Sequence, residues 1–323
     1  RRLNMNGDER NNSSSSNNNK VLLIHPIGVG LASWFWEPFM ESLGMSSTTG
    51  STTSTDTIIS EIYAPNLVGC GISEGSAAWD PNTKGLFIPL DWARGCEKLM
   101  DHVASKQQYE ESETSNCDTN AATTATADDD DEGDNDRWTV IVQGGLAPVG
   151  VLLAHRNPNR VTSLVMTSPP RWEEMTTPVP ERELKRNYDF LTNPFWGNLA
   201  FKTLESRRSV EFFSNQFLFS ELCDDTWLDN AQTEWEAGGK SARPPVQMFN
   251  AGFCMNRSFE DELRSIEQPT MVVQGQDDKR ERDEYSKSMK NCIVKTSRGQ
   301  NVLPWEYPDE LTQEVVTFLS DIC

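Results

Sequence analysis

The chain has 323 residues, of which 36% are hydrophobic, and a mean hydropathy of −0.58, so much of its length belongs outside a packed core. A net charge of −20, from 49 acids against 29 bases, argues against a phosphate-tracking nucleic-acid surface and a basic membrane-binding face, which both need clustered Lys and Arg. No run of about 18 apolar residues occurs, which excludes a membrane-spanning helix.

Residues 1–19, RRLNMNGDERNNSSSSNNN, bury too little apolar area to offset their ordering entropy and are expected to form a disordered polar arm. The Arg1-Arg2 start is expected to reflect trimming of a longer product. KVLLIH at 20–25 reads as a strand, MSSTTGSTTSTD at 45–56 as a surface loop, TIISEIY at 57–63 as a strand, and 91–105 as a helix. Residues 106–137 form an acidic insert with eleven acids and two bases, expected to be a disordered, solvated spacer rather than a docking tail. WTVIVQ at 138–143 and VTSLVMT at 161–167 read as strands flanking a helix at 148–156. From about 169 to 267 the chain is dense in aromatics, among them Trp172, Phe190, Trp196, Phe217, Trp227 and Trp235. TMVVQG at 270–275, a helix at 281–290, NCIVKT at 291–296 and a helix at 308–319 complete the pattern.

These strands are apolar on both faces, which belongs to a parallel sheet covered by helices, so the class is α/β with one domain over 20–321. An insertion of about a hundred residues on such a sheet folds as a helical cap above the carboxyl ends of the strands, where ligands bind. Its aromatics divide between packing against the sheet and facing the crevice.

Seven cysteines, Cys70, Cys96, Cys117, Cys223, Cys254, Cys292 and Cys323, include no CxxC pair and have no adjacent histidine. They read as reduced, mostly buried thiols rather than a disulfide framework or a zinc site. No metal and no cofactor is expected.

Five blocks carry chemistry or its remains: VLLIHPIGVG at 21–30, APNLVGCGIS at 64–73, WTVIVQGGLAPVGVLLA at 138–154, QPTMVVQGQDD at 268–278 and SRGQNVLPWEYPDE at 297–310. In this order they resemble the α/β-hydrolase superfamily across roughly 20–321. The resemblance implies an oxyanion loop at His25, Ile27 and Gly28, with the Ile27 N–H as donor. It also implies a nucleophile elbow at Gly144, Gly145 and Leu146, the acid of a triad at Asp278, and its histidine at Asn301. The elbow register places Gly145 at the nucleophile position; sliding by one gives Gly144. Neither supplies a nucleophile, and glycine tolerates the backbone angles of such a turn. The family pattern also implies two strands before the one at 20–25; no strand pattern precedes residue 20, so the sheet is expected to begin at what is usually its third strand.

Triad chemistry needs an activated nucleophile, a base and an acid. Asn301 does not titrate near neutral pH, and the only histidines are His25, His102 and His155. His25 is expected to hold the oxyanion loop through hydrogen bonds; His102 and His155 read as ordinary helix histidines. Longer strings, HPIGVGLASWFWEPF, SPPRWEEMTTP and NPFWGNLAFKTLESRRSVEFFSNQFLF, are similar to a subgroup of α/β-hydrolase-like proteins of cyanobacteria and plastids. That similarity implies a chloroplast location. Three functions remain open: a non-catalytic protein that binds an apolar small molecule under the cap or a protein-complex partner; a hydrolase with an unconventional nucleophile such as Cys70 or Ser73; and a purely structural subunit. In the first, the pocket candidates are His25, Ile27, Gly28, Gly144, Gly145, Leu146, Asp278 and Asn301, and Gly144 and Gly145 are expected to leave the space of a side chain empty beside the ligand.

Overall fold

In a strand buried on both faces, alternate residues serve opposite cores. The computed structural model, which describes residues 2–4, 19–48, 59–71, 87–115, 136–238 and 243–322, puts this alternation to use in its first long strand. Strand β2 (Asn19–Ile24) directs Leu22 and Ile24 into one core and Val21 and Leu23 into the other. The flanking strands are β1 (Arg2–Asn4), β3 (Glu61–Tyr63), β4 (Arg137–Gln143), β5 (Val161–Thr167), β6 (Thr270–Gly275) and β7 (Cys292–Ser297). They form one sheet in the order β1-β3-β2-β4-β5-β6-β7, parallel except for β1.

Helices cover both faces. On one side α2 (Leu90–Ser115) and α3 (Ala147–Arg156) pack Trp92, Met100 and Leu153 against Val140 and Val142. On the other, α1 (Glu37–Thr48) and α13 (Pro308–Ile322) pack Phe39, Leu43, Leu311 and Val315 against Ile141 and Val165. The expected α/β class with a mostly parallel sheet is the observed one. Between β5 and β6, the described residues form α4 (Trp172–Thr176), α5 (Glu181–Thr192), α6 (Trp196–Leu204), α7 (Arg207–Phe217), α8 (Asp225–Gly238), α9 (Arg243–Ala251) and α10 (Glu260–Ser265). Short helices α11 (Glu284–Ser288) and α12 (Leu303–Glu306) flank β7.

The strand order positions the site. From β2 the chain runs outward to β3, then crosses back to β4 on the other side of β2. Loops leaving the carboxyl ends of β2 and β4 therefore diverge, opening the crevice where ligands bind in such sheets.

Several expectations need correction. A strand does precede residue 20: Arg2–Asn4 of the supposed disordered arm pairs antiparallel with β3, and β2 itself begins at Asn19. Edge pairing draws on backbone N–H and C=O groups, so a polar segment with no apolar pattern can supply it. Residues 5–18 of the arm lie outside the described residues. The loop expected from 45 is helical through Thr48, 49–58 lie outside the described residues, and of the strand expected over 57–63 the described part is Glu61–Tyr63. The helix expected to stop at 105 continues to Ser115, ten residues into the acidic insert, because KQQYEESE is rich in good helix formers. At the other end of that insert Asp136 accepts hydrogen bonds from Trp138 and Arg160, so it belongs to the start of β4; 116–135 lie outside the described residues. The helix expected over 281–290 is the shorter α11. Among the described residues Cys70, Cys96, Cys223, Cys254 and Cys292 are free thiols, as expected.

Three indoles join the loops at the carboxyl end of the sheet. Trp34, in the turn after β2, meets Trp227 of α8 at 5.2 Å and Trp305 of α12 at 5.1 Å, while Trp227 and Trp305 are 5.4 Å apart, all edge to face. Trp227 also packs edge-on against Phe219 and donates its indole N–H to Ser214 Oγ. The backbone closes in at the same place: Gly30, at φ +72°, lies so near the Ala231 carbonyl that a Cβ there would overlap it. Trp227→Ala should cost about 3–5 kcal/mol in urea unfolding, the range for truncating a buried aromatic. Because Trp227 joins cap to sheet, the loss should come with separate cap and sheet transitions by near-UV and far-UV circular dichroism.

Candidate functional site

The crevice between cap and sheet encloses a cavity of about 820 Å³. Its floor comes from Ile27 and Gly28 after β2, from Gln143, Gly144 and Gly145 at the end of β4, and from Asn301 and Val302 after β7. Phe190, Phe201, Phe213, Phe217, Trp227 and Phe249 of the cap helices supply much of the walls and roof. Some cap aromatics thus face the crevice, whereas Phe219 and Trp235 are packing residues.

The turn from β4 into α3 has its left-handed residue at Gly144. Gly144 follows the last strand residue with φ +60°, the conformation a nucleophile elbow uses, and the space where its Cβ would point is open. This angle falls one residue before the Gly145 expected at the nucleophile position, at the alternative register. Gly145 stands one residue later, where the fold places an N–H of the oxyanion hole. A Cβ on Gly145 would come within 2.4 Å of Phe249 Cζ, so the space expected to be empty there is filled by a cap ring. Only Gly144 leaves such space open. Leu146 is fully buried in the core below and does not line the cavity.

Gln143, overlooked in the sequence, organises the polar floor. Its Oε1 accepts from Thr167 Oγ1 at 2.6 Å, which points its Nε2 toward the β7 side, where it donates to the Asn301 carbonyl at 2.8 Å. Asn301 is thus brought to the elbow. Its loop is fixed by its own N–H donating to Leu218 O and by Glu306, whose carboxylate accepts from the N–H groups of Gln300 and Ser220. The hydrophobic pattern carried no sign of Gln143, whose strand position reads as interior.

Asp278 is not part of this arrangement. Its carboxylate is bound by Arg280 and by the fully buried Arg282, each at 2.8 Å. Arg282 in turn donates to Pro169 O at the start of the cap. Burial alone would raise the Asp278 pKa, but the hydrogen bonds from Arg280 and Arg282 outweigh it and hold the carboxyl below its ordinary value. Arginines two and four residues further on capture the acid and leave it outside the cavity lining.

His25, expected as a pocket candidate, also stays out of the cavity; its hydrogen bonds hold the loop. The Leu67 N–H donates to Nε2 at 3.1 Å, which assigns the ring proton to Nδ1, 2.7 Å from Pro26 O. Burial lowers its pKa to about 4, so the ring is neutral at pH 7. Cys70 is buried beside the cavity rather than in its lining, and burial pushes its thiol up to about 12. Ser73 lies outside the described residues. The one hydroxyl in the lining, Ser214, accepts the Trp227 indole N–H at 2.9 Å. Among the described lining residues Arg186, on the exposed side of α5, is the only ionisable side chain.

Because the folded His25 resists protonation while the unfolded ring titrates near its ordinary 6.5, its stabilising contribution is complete above pH about 6.5 and lost as the pH falls toward about 4. The stability advantage of the native chain over His25→Gln should therefore be largest at pH 7 and shrink by pH 4.5, measured by urea unfolding. Gly145→Ala and Phe249→Ala should each destabilise. Their double variant should recover about 1 kcal/mol relative to the sum, since the ring that clashes with the new methyl is gone.

No family model matches the chain, and no curated protein matches it either. Solved structures do. A haloalkane dehalogenase DbeA loop variant from Bradyrhizobium elkanii is 15% identical with a TM-score of 0.60, over 96% of this chain and 91% of that one. The haloalkane dehalogenase DatA from Agrobacterium tumefaciens is 15% identical with a TM-score of 0.59, over 96% and 91%. A serine hydrolase of carbazole degradation, CarC, is 15% identical with a TM-score of 0.59, over 94% and 91%. At such identities the likeness concerns architecture alone: this chain has the α/β-hydrolase fold.

Proposed function

We propose that this chain is a non-catalytic α/β-hydrolase-fold protein that holds an apolar small molecule under its cap. The observation that carries the reading is a cavity of about 820 Å³ at the elbow, floored by glycine backbone and amide side chains, with Arg186 the only ionisable residue among its described lining. That volume is in the range of small-molecule sites, and the aromatic walls with a few polar groups at one end suit an elongated ligand with a carbonyl or hydroxyl terminus. Acyl transfer would need a nucleophile and a base in contact, and the lining offers Gly144 and Asn301 where the fold's pattern calls for them. The hydrolase alternative through Cys70 is disfavoured by a thiol that is buried, protonated and outside the lining. The plastid setting implied by the cyanobacterial and plastid resemblance belongs to this reading, with the loaded protein serving as a ligand-binding or assembly subunit beside a plastid membrane complex.

Solvent extraction and mass spectrometry of the purified chain should recover one apolar compound in stoichiometric amount, or the empty chain should take up a fluorescent long-chain alcohol. Ester turnover accompanied by fluorophosphonate or thiol labelling would overturn the reading. Gly144→Ser should fold with a loss of about 1–2 kcal/mol, from a side chain in left-handed backbone, and remain unlabelled by fluorophosphonate because no base reaches the new hydroxyl.

A further inference from the structure

Soluble proteins scatter exposed apolar residues singly; a contiguous group of them marks a contact surface. In the cap Phe190, Phe195, Trp196, Phe212 and Phe217 are each exposed by between 57% and 68%. Phe195 meets Trp196 edge to face at 5.0 Å, Phe212 meets Phe213 likewise at 5.4 Å, and Phe213 stacks on Phe217 at 6.0 Å. Phe190, Phe213 and Phe217 also line the cavity, so the same rings that face solvent form its mouth.

We propose that this aromatic rim docks on a lipid surface, with the mouth of the cavity turned toward the bilayer. The local charge permits it although the chain as a whole does not suggest it. Residues 181–217 hold six bases and five acids, so the net −20 is carried outside this segment. Docking of this kind rests on apolar insertion at headgroup depth, where tryptophan and phenylalanine rings are favoured, and needs no basic patch. Exposed Lys202 and Arg208 lie between the rings in sequence, and such long side chains can reach headgroup phosphates. A lipid surface is favoured over a protein partner because three of the exposed rings, Phe190, Phe213 and Phe217, also line the cavity: a bilayer covers the rings and supplies apolar molecules to the cavity through one contact. This second part rests on the apolar-ligand reading above; the docking itself does not.

The test is flotation of the full chain with phosphatidylcholine vesicles, beside the variant Phe195→Ser/Trp196→Ser/Phe212→Ser. None of these three side chains lines the cavity, so uptake of the fluorescent long-chain alcohol should be unchanged in the variant and reports that it is folded. The full chain should float with the vesicles, and the variant should bind at least about tenfold more weakly, with little dependence on salt. A full chain that stays unbound, or a variant that floats equally well, overturns the proposal. So does an oligomer that the variant converts to monomer without any change in flotation, which would assign the rim to a second copy of the chain. Flotation without alcohol uptake would retain the docking and discard the apolar-ligand reading; uptake without flotation would do the reverse.

Discussion

Trp34, Trp227 and Trp305 form a triangle of edge-to-face contacts on which the site depends. Each belongs to a different part of the chain: the turn after β2, the cap, and the helix after β7. Each indole also donates its N–H locally, to Gly30 O, Ser214 Oγ and Asp224 Oδ2 respectively, so the rings are fixed in orientation, Trp34 and Trp227 buried and Trp305 partly so. Edge-to-face pairs contribute roughly 0.5–1.5 kcal/mol beyond their burial, and three of them sharing vertices couple elements that the sheet alone would leave independent. The floor of the cavity is made by the sheet's loops and its roof by the cap. The triangle, together with the close approach of Gly30 to Ala231, keeps the two in one relation.

Much of the scaffold was legible from residues because its signals are local and repeated. β5 and β6 lie where their β-branched runs begin and end, and α3 begins one residue before its expected start. What escaped was set by partners distant in sequence. Nothing in RLN at 2–4 marks a strand; it becomes one by pairing with β3. The acidic run after 105 looks like spacer by composition, yet its first ten residues extend a helix already nucleated by Trp92, Cys96 and Met100 in the core.

At the site, residue identity was readable and geometry was not. The five blocks placed Ile27, Gly28, Gly144, Gly145 and Asn301 together, and all of them line one cavity. The choice between Gly144 and Gly145 depends on a backbone angle, and the fate of Asp278 on two arginines that the motif does not include. Gln143 went unnoticed because a polar residue ending a buried strand has no pattern to distinguish a bridging amide from a tolerated one. Phe249 was invisible for a different reason: only the folded cap brings residue 249 over residue 145.

The pairing of Asp278 limits what substitution can build on this fold. Its carboxylate, with Arg282 and Pro169 O, joins the end of β6 to the beginning of the cap, so it serves cohesion. A serine at 144 and a histidine at 301 could each arise by substitution, yet the histidine would find Asp278 already held by Arg280 and Arg282. Release of Asp278 would leave the fully buried Arg282 with an unpaired charge, an expense of several kcal/mol before any catalytic benefit appears. Building triad chemistry on this backbone would thus cross a stability barrier, and the order of steps would run through a less folded protein.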